Sequence, residues 1–208
     1  MITGIEEYLK PKKSAILVID MQNDFCHPQG HFGKQNLNLT ATHEMVPRLK
    51  WFVDEARNLG ITICHVRSYM DEEFLTPPMI ARNKQLGRQE GICLKGSWGS
   101  EFYQVLPAEN DIVLTKHAYS AFIGTNLQAS LSERGIQTLM VTGVLTNVCC
   151  ESTLRQAFML GFYTFLIEDC CASIDQAAHL AAVDNVQKYF GWVVKSQDVI
   201  NYWQGVRS

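Results

Sequence analysis

Residues 138–151, TLMVTGVLTNVCCE, run from an apolar strand through a glycine-containing turn into a helix that carries cysteine in its first turn. A thiol at that place meets unpaired backbone N–H groups and the positive end of the helix dipole, and both favour thiolate over thiol. Thr146 or Asn147 is positioned to cap the helix. Free cysteine is also a small hydrophobe that is usually buried, so this stretch alone leaves a nucleophile and a core residue equally open. Helical period separates the two cysteines. Counting from Cys150, positions 154, 157, 158 and 161 are Leu, Ala, Phe and Gly, a stripe that must face a sheet. Counting from Cys149, positions 152, 153 and 156 are Ser, Thr and Gln, a polar flank able to border a pocket. The candidate nucleophile is therefore Cys149, with Cys150 in the core.

Such a residue needs partners, and the order of elements says where to look for them. Apolar runs at 15–19, 61–66, 112–114, 139–142, 163–167 and 192–194 read as strands buried on both faces. Between them lie segments of helical period around 42–59, 100–106, 125–134, 147–160 and 176–189, with a last one near 196–203. Gly60, Gly135 and Gly161 each stop a periodic segment just before a strand. The alternation predicts an α/β fold: a single-domain, three-layer α/β/α arrangement over residues 1–208, with a mostly parallel, Rossmann-like sheet of about six strands. The stretch 67–95, with Pro77 and Pro78 and no clean period, reads as an insertion over the site or at a subunit interface.

In an open parallel sheet ligands bind at the carboxyl ends of the strands. Asp20 closes the first strand, Lys116 follows the third, and Cys149 lies one turn past the fourth. A carboxylate beside a thiol can take its proton, while an ammonium keeps the carboxylate ionised and stabilises the thiolate. Each alone has a structural reading: a strand-end Asp caps turns, and a Lys after a strand is solvated. His65 and His117 also lie near strand ends, so a Cys149–His117 dyad stays open. Gln22 and Asn23 could bond a substrate amide, and Tyr119 and Phe122 could wall the pocket; turn structure and core packing are the alternatives. Arg67 and Trp98 could contact substrate or another subunit.

Composition excludes several classes. The formal charge of −3 with dispersed Lys and Arg gives no footprint for nucleic acid. No apolar run reaches the ~20 residues a membrane span needs, and the first residues lack a signal-peptide core, which predicts a cytoplasmic protein. The 7 cysteines include two adjacent pairs and no CxxC, which is neither a disulfide framework nor a zinc ribbon, so all read as reduced. His27, His31 and His43 share a loop with Pro28, Gly30 and Gly33, without a rigid face on which to gather a metal.

The motifs AILVIDMQNDF at 15–25, KGSW at 95–98, DIVLTKHAYSAF at 111–122, GVLTNVCCESTLRQAF at 143–158 and LIEDCCAS at 166–173 resemble the isochorismatase-like cysteine hydrolases over nearly the whole chain. The ureidoacrylate and N-carbamoyl amidohydrolase branch is the nearest in pattern. That resemblance implies Asp20, Lys116 and Cys149 as a catalytic triad. It also implies a cis peptide between Val144 and Leu145, with the N–H groups of Leu145 and Cys149 forming an oxyanion hole. The Asp-x-His pair of the metal-dependent nicotinamidases has no counterpart in KQNLNLTATH at 34–43, so neither metal nor other cofactor is expected. The implied activity is hydrolysis of a C–N bond in a small amide, ureido or carbamoyl substrate by a homo-oligomer, dimer or tetramer. A nicotinamidase-type amidase, or a thiol-redox protein using its vicinal cysteines, are the alternatives.

Overall fold

Runs of Val, Ile and Leu too apolar to face water on either side form the strands: β1 (Ser14–Ile19), β2 (Thr62–Ser68), β3 (Ile112–Lys116), β4 (Thr138–Val144), β5 (Tyr163–Ala172) and β6 (Trp192–Val194). The computed structural model describes residues 4–87 and 91–205. The strands make one sheet in the order β3-β2-β1-β4-β5-β6, and every neighbouring pair is parallel. The expected mostly parallel sheet is thus wholly parallel. Helices are α1 (Asn23–Cys26), α2 (His31–Lys34), α3 (Thr40–Asn58), α4 (Pro77–Gln85), α5 (Leu127–Glu133), α6 (Glu151–Met159), α7 (Gln176–Asn185) and α8 (Ser196–Trp203).

Alternation along β1 shows how the layers are built. Ile16 and Val18 join a core under α3 and α8 with Leu49, Phe52, Val199 and Ile200. Ala15, Leu17 and Ile19 join a second core under α5 and α6 with Leu127, Leu131, Leu154 and Ala157. Burying both faces of one strand fixes its register, because a slip by one residue exchanges the two cores. The chain adds β2 and β3 on one side of β1 and then returns to place β4 on the other. The direction of winding reverses at the carboxyl ends of β1 and β4, the place where open parallel sheets bind their ligands.

Several strands run further at their carboxyl ends than the apolar runs indicate, so Ser68 belongs to β2 and Lys116 is the last residue of β3. Their polar side chains end strands because the site, not solvent, receives them. The helix expected over 100–106 is absent. Trp98–Ser100 forms one tight turn, and the chain then runs extended, with Phe102 bridged to Gln22 and the Tyr103 N–H donating to Met21 O. Tertiary pairing with the end of β1 overrides the local period there. The 67–95 stretch begins within β2 and contains α4, which starts at Pro77 as a first-turn proline should. Residues 88–90 of that stretch lie outside the described residues. Among the described residues no helix is long and apolar enough to cross a membrane.

His65 is fully buried in β2, its Nε2 3.2 Å from Asp111 Oδ2, which Arg57 also binds at 2.7 Å. The contact with Asp111 is not aligned as a hydrogen bond, and neither ring nitrogen has a partner. Burial pushes the imidazole down to about 4, against the attraction of Asp111. The unfolded residue binds a proton below about 6.5, the folded one only below about 4, so in that window the unfolded state holds more protons. Stability is therefore expected to fall by on the order of 2–3 kcal/mol between pH 7 and pH 4 from this residue. Denaturant titrations at both pH values check it: His65→Asn should flatten that slope, and an unchanged slope would refute the assignment.

Candidate active site

Asp20 follows β1 in the left-handed region, φ 53°, a conformation uncommon for a residue with a side chain. Its N–H donates to Val66 O and its carbonyl accepts from the Gln22 N–H, both at 2.8 Å, and these bonds hold the turn. Gly143 in β4 makes the adjacent approach possible. A Cβ there would lie 2.0 Å from Ile19 O, so only glycine lets β4 pass this close to the end of β1. The Val144–Leu145 peptide is cis. The chain then enters a π-helical turn, Thr146–Cys150, in which the Val148 and Cys150 N–H groups donate to Leu145 O at 3.1 and 3.2 Å.

These elements bring the three strand-end side chains to one point. Lys116 Nζ lies 2.8 Å from Asp20 Oδ2 and donates to Cys149 Sγ at 3.3 Å. It also donates to Ser68 Oγ at 2.8 Å and to Ala118 O at 3.1 Å. An ammonium has three N–H groups, and these acceptors use all of them. Asp20 Oδ2 lies against the same ammonium as a buried ion pair. Asp20 Oδ1, by contrast, accepts from Ser68 Oγ at 2.9 Å. One carboxylate oxygen is committed, and the other keeps a lone pair beside a thiol.

Burial first, and the Asp20 carboxylate next, push the Cys149 thiol well above its ordinary value, and Lys116 offsets this only in part. These effects oppose the thiolate that the helix N-terminus was expected to favour. The turn is π-helical, no side chain caps it, and the two expected caps are engaged elsewhere. Thr146 Oγ1 pairs with His179 Nδ1 at 2.9 Å, and Asn147 Oδ1 accepts from Ser173 Oγ at 2.7 Å. Burial opposes the charge on Lys116 as well, but Asp20 and the sulfur outweigh it and raise its pKa. Cys150, with no exposed surface, sits in the core.

The other candidates divide. The Gln22 amide donates to Ser68 O and Ser100 O at 2.9 Å and accepts from the Ser68 N–H at 2.7 Å. Fully buried and so engaged, it grips the β2 end rather than a substrate, contrary to the sequence expectation. Asn23 donates to Trp98 O at 2.8 Å. Phe122 is half-buried, packed on Phe162 against the second core. Tyr119 stays exposed near the site. His117 Nδ1 is turned to Tyr69 O at 2.8 Å with its ring on Phe74, and His65 lies with Asp111, so Asp20 rather than either imidazole is the base nearest the sulfur. Arg67 binds Thr115 Oγ1 at 3.1 Å and lies over Tyr69. His27 Nδ1 accepts from the Gln29 N–H, His31 pairs with Gln35, and His43 Nε2 pairs with Cys26 O. Among the described residues no cluster of three His, Cys, Asp or Glu could hold a metal ion. Ser68 was not singled out from the sequence, although the rule of examining strand ends would have found it once β2 was extended by two residues.

The isochorismatase domain model matches residues 14–198. A cysteine hydrolase from Pseudomonas syringae pv. phaseolicola 1448A superposes with a TM-score of 0.83 at 24% identity, covering 95% of each chain. N-carbamoylsarcosine amidase from Thermoplasma acidophilum is 28% identical over 88% of this chain and 96% of its own, with a TM-score of 0.70. An isochorismatase-like hydrolase from Alkaliphilus metalliredigens is 27% identical, covering 92% of this chain and 99% of its own, at a TM-score of 0.76. With that match spanning the whole sheet and the carboxylate, ammonium and thiol gathered at its winding reversal, the chain belongs to the isochorismatase-like cysteine hydrolase family.

Proposed function

We propose that the protein hydrolyses a non-peptide C–N bond of a small amide, ureido or carbamoyl compound through a covalent Cys149 intermediate. The observation that carries this reading is one buried ammonium, Lys116 Nζ, lying 2.8 Å from the Asp20 carboxylate and donating to the Cys149 sulfur at 3.3 Å. Asp20 takes the thiol proton as the sulfur attacks the substrate carbonyl carbon. The N–H groups of Leu145 and Cys149 hold the oxyanion, a contribution typically worth about a hundredfold or more per donor. The tetrahedral species collapses by breaking the C–N bond, and Asp20 returns its proton to the departing nitrogen. Water then adds to the thioester or thiocarbamate, giving its proton to Asp20, and the C–S bond breaks to restore the thiol. Lys116 balances the negative charge that moves between Asp20 and sulfur. Asn23 and Tyr119 border the substrate, and the protein works as a homo-oligomer, dimer or tetramer, on a small-molecule substrate without a cofactor.

The relationship to N-carbamoylsarcosine amidase supports a carbamoyl or ureido group as the bond cleaved. Ammonia release measured across ureidoacrylate, N-carbamoyl amino acids, biuret and nicotinamide tests the reading. Turnover of a ureido or carbamoyl compound is the expected result; ammonia from nicotinamide alone would move the assignment to the nicotinamidase branch, and none from any would reject it.

A further inference from the structure

We propose that Ser68 is a positioning residue that holds the Asp20 carboxylate, with Lys116, in place to take the Cys149 proton. Ser68 is 1% exposed at the end of β2. Its oxygen accepts from Lys116 Nζ, so its own O–H must point the other way, to Asp20 Oδ1. This orientation has two effects. It ties down the carboxylate by Oδ1, leaving Oδ2 on the side of Lys116, whose Nζ also reaches the Cys149 sulfur. It also takes one lysine N–H, which fixes Nζ as the counter-charge 2.8 Å from Oδ2 while that oxygen keeps a lone pair for the thiol proton. Gln22 holds Ser68 in place by gripping its N–H and its carbonyl together, at 2.7 and 2.9 Å.

The inference rests on Asp20 being the base, and the test separates the two. Alkylation of Cys149 by iodoacetamide is followed by peptide mass mapping from pH 6 to 10 in the wild type, Ser68→Ala, Ser68→Thr and Asp20→Asn. The charged and titratable groups facing the sulfur are Asp20, Lys116 and Cys150. Ser68→Ala is expected to slow alkylation about tenfold at neutral pH, because the proton acceptor is no longer held beside the thiol. Ser68→Thr, which keeps the hydroxyl, should restore most of the rate. A thermal melt confirms that each variant is folded; if Ser68→Ala is not, Ser68→Cys, with a weak donor of similar size, is measured the same way, its added thiol resolved by the mapping. Wild-type alkylation by Ser68→Ala or its substitute, while Asp20→Asn has lost turnover, overturns the role of Ser68 alone. Wild-type turnover by Asp20→Asn overturns the base itself.

Discussion

Cys149→Ala is expected to lower kcat by about 10⁴-fold or more on whichever compound the wild type hydrolyses, while Cys150→Ala stays within a few-fold of wild type. The neighbouring sulfurs have opposite surroundings. Cys149 Sγ accepts from Lys116, whereas Cys150 Sγ points to Thr142 O in the second core. Removing the Cys150 sulfur leaves a small void and costs about 1 kcal/mol of stability, with no change in the reacting groups. Steady-state kinetics and melting temperatures separate the two effects, because one variant should lose activity and the other only stability. Intact-mass measurement on mixing with substrate should reveal an acyl or carbamoyl adduct that Cys149→Ala cannot form. Equal activity in the two variants would discard the covalent mechanism, and a redox role for the vicinal pairs would then be tested by thiol titration under mild oxidant. All seven cysteines are free, and every one but Cys149 is buried.

The second large effect concerns Lys116. Lys116→Met keeps an unbranched side chain one atom shorter but leaves the buried Asp20 carboxylate without a counter-charge, and losing one partner of a buried pair costs about 3–5 kcal/mol. Denaturant unfolding should show that loss, and turnover should disappear as well, since Cys149 loses the one group that lowers its pKa toward the ordinary range. Adding Asp20→Asn to Lys116→Met removes the stranded charge. The double variant should regain part of the stability without regaining activity, a non-additivity expected of residues in direct contact. The lysine pKa is raised in the folded state, so its stabilising contribution is complete below the unfolded lysine value and lost only as pH rises through the folded one. The difference between wild type and Lys116→Met should therefore be flat across neutral pH. Full stability in Lys116→Met would mean that the ion pair does not hold the end of β1.

The sequence by itself determined the order of strands, the assignment of Cys150 to the core, and the three strand ends from which acid, base and thiol converge. These were legible because they depend on short-range periodicity: apolar runs of strand length, glycine stops, and the spacing of Leu154 and Ala157 from Cys150. Sequence resemblance added the Val144–Leu145 peptide, which is cis in the structure. Only the tertiary structure decided which polar groups are spent and which are free. Gln22 looks like a substrate ligand in the chain and is a clamp on Ser68, and Thr146 and Asn147 look like helix caps and bond to His179 and Ser173. The resting state of the thiol was set the same way. Local position favours the thiolate, but a carboxylate from β1, 129 residues away, together with loss of water, favours the thiol. Hydrogen bonds and charges between distant segments depend on where each side chain ends in space, and periodicity carries no record of that.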